Sequence, residues 1–526
     1  MIEEELVYRI TAQMRHAPTA EQRHAMETFA RMMADGSTLS RPVMVMRGSA
    51  GTGKTTLAAA IVRALLALKQ KLVLLAPTGR AAKVFSLYAG HAAFTIHRRI
   101  YRQRSAGDLS EFRLNDNLHR DTLFMVDEAS MISSGGSTLA QGGSALGQGG
   151  SAREPMSFGS GSLLDDLVRY VYSGDNCRLL LIGDAAQLPP VGETTSPALS
   201  GSVLSGYGLT PYECDLSEVL RQSQESGILF NATRIRKSVE CRVESVEFAT
   251  AVVGDAVANS QLSTLRSAQR DAFLRKNSQL RLRGFSDITI VPGDELIESL
   301  ASSYSRVGID ETIVITRSNK RANIYNQGIR RTVLDRDEEL CRGDQLMVVK
   351  NNYSVSDLSP AGSEKSLNYL ANGDRCVVQR VRSVRQLYGF TFADVTVQLP
   401  DYDDYELTAT TLLDTLTTEA PALTREQQEQ LYQQVMDDYA DIPLKAERLK
   451  RLKSDPYYNA LQVKFGYAVT CHKAQGGQWA HVYIDQGYMT DDMLTPDYYH
   501  WLYTALTRAT EHVFLVNWPK TQIDEE

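Results

Sequence analysis

The sequence predicts an α/β protein of two lobes, each built on a parallel sheet, with a short β-hairpin and a small β-rich insert. Three observations carry that expectation. At 526 residues the chain exceeds the usual size of one domain. Short apolar runs at Val43–Met46, Leu72–Leu75, Leu123–Val126 and Leu179–Ile182 alternate with helical stretches, the pattern of a parallel sheet covered by helices. A second set at Thr312–Ile315, Val482–Ile484 and Val513–Val516 implies a second sheet.

The first lobe is expected over residues 1–225, and the second over 226–333 and 457–526. Between roughly 334 and 456 the pattern changes to β-like segments around Leu346–Val349, Arg375–Val381 and Phe390–Leu399, followed by a polar helical stretch, Thr424–Leu452. This reads as a β-rich insert with a helical arm. Within the first lobe, Ile100–Asn117 holds two short polar strands about Ala106-Gly107-Asp108, a hairpin spanning about 98–120. Ser133–Ser162 is dominated by Gly, Ser, Ala and Gln, a composition that buries too little apolar surface to order itself. A mobile loop is expected there. Ser238–Arg281 reads as helical.

A hydrophobic fraction of 43% and a charged fraction of 23% fit a soluble protein. No apolar run has the length of a membrane span, and the acidic Met1–Ile10 is unlike a signal peptide, so a cytoplasmic location is expected. Cys177, Cys214, Cys241, Cys341, Cys376 and Cys471 are dispersed, which argues for packing residues rather than a zinc site or disulfide framework. The net charge of −7 does not advertise a nucleic-acid partner. Much of the acidity, however, is local, in Asp401–Glu406, Glu426–Asp441 and Asp524–Glu526, which leaves room for a basic channel elsewhere.

The most specific signal is Gly48-Ser49-Ala50-Gly51-Thr52-Gly53-Lys54-Thr55, which follows the strand PVMVM and opens the helix beginning Thr55-Thr56. It fits the phosphate-binding loop. Its glycines let backbone N–H groups close around phosphates, Lys54 reaches the β- and γ-phosphates, and the Thr55 hydroxyl suits Mg²⁺. A bare Gly-rich strand-to-helix turn is the plain alternative. Downstream, Asp127 and Glu128 stand at the C-terminal end of the strand Thr122–Val126, where open α/β sheets bind ligands. Asp127 suits the Mg²⁺ shell and Glu128 the polarisation of attacking water. A solvated strand end is the other reading, but with the loop the pair points to ATP hydrolysis, and no base-reading N-K-x-D segment suggests a GTPase. Gly183-Asp184-Ala-Ala-Gln187-Leu-Pro-Pro190 follows the strand RLLLI. Either Gln187 senses the γ-phosphate or this is a turn stiffened by Pro189 and Pro190.

Further segments follow in a fixed order: Pro18-Thr-Ala-Glu-Gln22, Ala76-Pro-Thr78-Gly-Arg-Ala-Ala-Lys83, Thr95-Ile-His97, Leu216-Ser-Glu-Val-Leu-Arg221-Gln222, Tyr467-Ala-Val-Thr470-Cys-His472-Lys473-Ala-Gln-Gly476 and Leu502-Tyr-Thr-Ala-Leu-Thr507-Arg508-Ala509. With the phosphate loop, this series resembles the superfamily 1 helicases, in particular the RecD-like and Dda-like branch that moves 5′→3′. The resemblance implies two RecA-like lobes, a separating pin at the hairpin and an SH3-like insert entered at Gly343-Asp344. It implies that Gln22 reads adenine, that Gly476 belongs to the nucleotide site, and that Arg221 and Arg508 stabilise charge on the transferring phosphoryl group. Thr78, Lys83, His97, Thr470, His472 and Lys473, with Lys350 and Asn351 of the insert, would contact single-stranded DNA.

Physical chemistry supports the same roles. A cation arriving across a cleft contributes roughly 10³ to 10⁵ in phosphoryl-transfer rate, which would couple hydrolysis to lobe closure. A surface arginine in a salt bridge, a satisfied core histidine and an ordinary surface hairpin are the corresponding plain readings. Tyr101, Phe112 and the hairpin tip are the candidates to meet the last base pair. The chain departs from the family pattern at Ala474 and Gln478, so Gln478 receives no catalytic role. The adenine-reading segment begins near residue 18, which leaves no room for the N-terminal docking domain of RecD and suggests a free-standing helicase. The expected partners are single-stranded DNA and single-strand/duplex junctions, the expected cofactors ATP and Mg²⁺, and the expected setting DNA repair or recombination. An RNA helicase of the same superfamily and a non-translocating ATP-dependent clamp are the competing readings.

Overall fold

A computed structural model describes residues 2–36, 40–103, 111–135, 157–158, 160–218, 226–251, 279–352, 370–402, 404–490 and 493–524. In the first lobe, six parallel strands run in the order Ala93–Thr95, Lys71–Ala76, Thr122–Val126, Arg178–Gly183, Pro42–Gly48, Thr210–Leu216. The central strands are buried on both faces, which is why they read as continuous apolar runs rather than alternating ones. One face packs under Phe29, Met26 and Leu57, the other under Leu167, Val171 and Ile100. Helices begin where a Ser or Thr side chain caps an orphan backbone N–H, as at Thr19, Thr78, Thr95 and Ser162.

The second lobe carries five parallel strands in the order Ile288–Val291, Ala509–Val516, Trp479–Asp485, Thr312–Thr316, Ala468–Thr470. The insert is a closed barrel of Gln345–Val348, Arg375–Leu387, Phe390–Leu399, Tyr405–Leu412 and Leu461–Phe465. Its arm is two helices, Arg425–Asp438 and Lys445–Ser454, parted around Pro443, with Leu431, Val435 and Leu452 packed on Phe390 and Phe392.

Three expectations need correction. The insert does not end at 456, because Leu461–Phe465 pairs with both Gln345–Val348 and Thr411–Leu412 to close the barrel. The segment 133–162 is ordered at its end: Ser157–Phe158 joins the hairpin as a third strand, and Ser160 N donates to Asp166 before Ser162 caps the next helix. The hairpin itself pairs Tyr101–Gln103 with Glu111–Leu114, but Tyr101 is buried and donates to Asp166 Oδ2 at 2.7 Å, so it supports the lobe instead of facing a fork. The hairpin tip, the Phe112 side chain, most of the Gly/Ser-rich segment and residues 252–278 lie outside the described residues. The five described cysteines are free, and four of them are buried.

Candidate ATP site and nucleic-acid track

The phosphate loop joins the central strand Pro42–Gly48 to the helix Lys54–Ala67. Gly51 and Gly53 both sit at φ 82°, a left-handed conformation that only glycine adopts cheaply. The turn aims the amides and the helix N-terminus at one point, an anion site by construction. The Lys54 ammonium lies in the mouth of the loop on the carbonyls of Gly48 and Ser49. Thr55 is half-buried and Thr56 exposed on the first helical turn. Gln22 is buried behind the loop, donating to Thr52 O at 3.2 Å and accepting from Thr19 N. One amide hydrogen and one lone pair therefore remain for a base.

Asp127 and Glu128 follow the strand next to the loop's neighbour. Glu128 is held at φ 53°, an uncommon conformation for a side-chain-bearing residue. Burial, and then the Glu128 charge, push the Asp127 carboxyl up to about 7, against the Glu128 N–H and the Lys54 charge. A site that raises a carboxylate in this way is one that a divalent cation would relieve. Hydroxyl and carboxylate oxygens are the hard donors Mg²⁺ takes, with phosphates and water filling the rest of its shell.

The loop Gly183–Pro190 projects from the same sheet edge into the second lobe. Asp184 Oδ1 accepts from Ala186 N, while Oδ2 accepts from Tyr503 OH at 2.7 Å. Leu188 N donates to Thr504 Oγ1 at 2.8 Å, Gln475 Nε2 donates to Leu188 O, and His500 Nδ1 lies 2.9 Å from Ala186 O. Gln187 is buried, yet its Oε1 has no hydrogen-bond partner in the protein. Leaving such an acceptor unsatisfied costs about 1–3 kcal/mol, which suits an atom reserved for a water or phosphate ligand.

Arg508 is buried in the second lobe. Its guanidinium donates to Thr504 O (3.0 Å), Gly477 O (3.2 Å) and Thr507 Oγ1 (3.1 Å). These acceptors are all uncharged, so the positive charge stays uncompensated by any of them. Arg221 lies outside the described residues. Sequence reasoning missed Tyr503, whose hydroxyl accepts from Ala50 N at 2.9 Å. It also missed the tie from Arg236 to the loop and gave Asp184 no role. Tyr503 and Asp184 lie inside segments already singled out, whereas nothing local marks Arg236.

The expected track lies along the other side of the cleft. Thr78 caps the helix Gly79–Ala89, and Gly476 of the second lobe packs on Thr78 and Ala81. Gly476, which the resemblance assigns to the nucleotide site, thus stands beside the helix that Thr78 caps. Lys83 donates to Pro400 O and lies 3.7 Å from Asp401 of the insert. Arg80 stacks on Trp479, 4.0 Å from the ring centre, and donates to Gln478 O. Burial pushes Lys473 down to about 8, with Lys464 adding to the effect. His472 is exposed. His97 packs beside Tyr101, and burial lowers it to about 4, which keeps its ring neutral near pH 7. Lys350 donates to Gln428 Oε1 at 2.8 Å and Asn351 Oδ1 accepts from Asn372 N. Both are thus engaged within the insert.

Two family models match the chain: an AAA domain over residues 18–138 and a UvrD-like helicase C-terminal domain over 465–516. Across 97% of the chain it is similar to a Bacteroides Pif1 helicase solved with ADP-AlF3 and ssDNA (15% identity, 95% of that chain, TM-score 0.44). It is similar over the same share to Pif1 helicase from Candida albicans (14% identity, 96% of that chain, TM-score 0.42). At those scores the likeness carries no functional argument; the two matched domains and the site carry it. They define a two-lobed P-loop ATPase, with the phosphate loop on one lobe and the helicase C-terminal segment on the other. Residues 18–138 thus match an AAA domain that holds the phosphate loop, and residues 465–516 match the C-terminal domain of UvrD-like helicases.

Proposed function

We propose that the protein moves 5′→3′ on single-stranded DNA, engages single-strand/duplex junctions and opens the duplex with Mg²⁺-ATP. One observation supports this most: the second lobe meets the first both at the phosphate loop and at the helix capped by Thr78. Tyr503 meets Ala50 at the loop and Gly476 meets Thr78 and Ala81 at the helix, so a lobe movement that alters one contact alters the other. In this reading Thr55 and Asp127 hold Mg²⁺, which supplies charge neutralisation to the phosphates. Glu128 orients water, Gln187 monitors the γ-phosphate and Arg508 stabilises the transferring group. Thr78, Lys83, Thr470, His472 and Lys473 grip the backbone. Polarity rests on the resemblance of Ala76–Lys83, Gly183–Pro190 and the Gly343 entry to the 5′→3′ branch. A cytoplasmic setting and a duty in DNA repair or recombination belong to the same proposal.

Single-turnover unwinding with a trap strand tests it, using duplexes with a 5′ or a 3′ tail and the Glu128→Gln variant as the hydrolysis-deficient control. The 5′-tailed duplex should open and the 3′-tailed one should not; the reverse refutes the polarity. ATPase stimulation by RNA equal to that by DNA would favour the RNA-helicase reading, because backbone contacts alone tolerate a 2′-hydroxyl.

A further inference from the structure

The insert reaches back onto the first lobe at the helix Gly79–Ala89. Its turn Pro400–Tyr402 packs there, where Lys83 donates to Pro400 O and lies 3.7 Å from Asp401 Oδ1. Asp374, just before the barrel strand Arg375–Leu387, faces the first residue of the helix: a Cβ placed on Gly79 would stand 2.2 Å from its Oδ1. Thr78 Oγ1 accepts from Ala81 N and Thr78 O from Ala82 N, so the amides of Gly79 and Arg80 are the two of the first turn left without an acceptor in the helix. A helix start with two spare amides, and Lys83 one turn on, is a seat for anions. Two carboxylates of the insert stand over it.

Neither carboxylate is fully satisfied there. Asp374 is buried; its Oδ2 accepts from Ala371 N and from Tyr402 OH, each at 2.7 Å, while Oδ1 has no hydrogen-bond partner among the described residues. The Asp401 side chain is buried too, sharing Oδ1 between Lys83 and Arg375 and leaving Oδ2 without a hydrogen bond. Arg80 Nη1 and Arg375 Nε are likewise buried without an acceptor. Burial, opposed by the Tyr402 and Ala371 bonds and reinforced by the Asp401 charge, pushes the Asp374 carboxyl up to about 7. Polar groups closed permanently into a protein are paired, so four orphaned atoms at one contact mark an interface that parts. We propose that Asp374 and Asp401 are stand-ins for backbone phosphates: docked on the helix Gly79–Ala89, they cover the first lobe's share of the track, and single-stranded DNA loads when the insert lifts away. The inference rests on the reading of Thr78 and Lys83 as DNA contacts and adds an internal competitor for them. Displacement returns both carboxylates to water, and Lys83 exchanges one anion for another, so the strand replaces the insert with little loss of charge pairing.

The test compares wild type, Asp401→Asn, the double variant Asp374→Asn with Asp401→Asn, and Asp394→Asn as a charge-matched control whose partner is Arg385 of the same barrel. Each is the full chain without nucleotide. Binding and association of a fluorescent oligothymidylate are measured, and a fluorescent pair on the insert and the first lobe reports their separation. Wild type should separate on binding the strand. Asp401→Asn should bind about threefold more tightly and the double variant about tenfold, chiefly through faster association, as expected for removing weak ion pairs. The control should stay close to wild type. Asp401→Asn leaves the bonds of Asp374 to Ala371 and Tyr402 in place, so it decides the matter alone if the double variant does not fold. Unchanged or weaker binding by Asp401→Asn, an equal gain in the control, or no separation in wild type overturns the proposal and leaves the helicase reading standing. Failure of all four proteins to bind the strand sinks that reading as well.

Discussion

Replacing Asp127 with Asn should stabilise the nucleotide-free protein above neutral pH while abolishing Mg²⁺-dependent turnover. The carboxyl is raised from 3.8 to about 7 by burial and by Glu128 beside it. At about 1.4 kcal/mol per unit, that rise caps the cost of ionising Asp127 in the folded state at about 4 kcal/mol. Because Glu128 takes part in the same titration, about 2 kcal/mol is the working figure. The folded pKa lies above the unfolded one, so the favourable contribution of the neutral acid is complete below about pH 4 and is lost as pH rises through 7. Asn keeps the acceptor for Glu128 N–H and carries no charge. The variant should therefore melt roughly 4–8 °C higher than wild type at pH 8, for a cooperative unit the size of one lobe. The gap should shrink between pH 7 and 4. Mg²⁺ with a nonhydrolysable ATP analogue should narrow it as well, by stabilising wild type alone. Thermal melts across pH, with and without the analogue, supply the measurement. Equal melting points at pH 8, or a gap that widens on acidification, would refute the reasoning.

Arg508→Ala should slow hydrolysis roughly a hundredfold or more with near-normal nucleotide binding, since the group acts on transition-state charge; stopped-flow binding and steady-state turnover separate the two. The same change removes a donor from Gly477 O, Thr504 O and Thr507 Oγ1, although the last two keep their bond to each other, so a lower melting temperature should accompany it, with Arg508→Lys less affected. Gly79→Ala should loosen the insert from the first lobe, because a Cβ there would stand 2.2 Å from Asp374 Oδ1. Fluorescence transfer between labels on the insert and the first lobe should report a longer distance, and an unchanged distance would show that Asp374 yields instead.

What the sequence revealed and concealed follows from burial. The strands foreseen in the two lobes are interior ones, apolar throughout because both faces are covered. The four that escaped notice, Ala93–Thr95, Thr210–Leu216, Ile288–Val291 and Ala468–Thr470, are the four sheet edges. Edge strands are short or carry charges such as Glu213 and Asp215, so periodicity does not mark them. Tyr405–Leu412 was hidden behind the acidic Asp401–Glu406, and Leu461–Phe465 by its adjacency to the second lobe's motifs. The phosphate loop and the strand-end acids were legible because their chemistry requires particular residues at fixed spacing. Arg236 was not, since a long-range cation needs only to arrive, and no spacing records that.

The last barrel strand, Leu461–Phe465, is separated from the sheet strand Ala468–Thr470 by two residues, and the second of them, Tyr467, donates to Asp344 Oδ1 at 2.8 Å. Leu461 and Val463 share one apolar cluster with Val314, Ile329 and Tyr483 of the second lobe. For protein engineering, the exchangeable cassette therefore runs from Asp344 to Gly466, not to the end of the helical arm. A chimera joined near 456 would strand Leu461–Phe465 without its barrel neighbours and uncover the lobe beneath it, whereas one joined at 344 and 466 would transplant a closed unit and keep the segment leading to His472 and Lys473 in register.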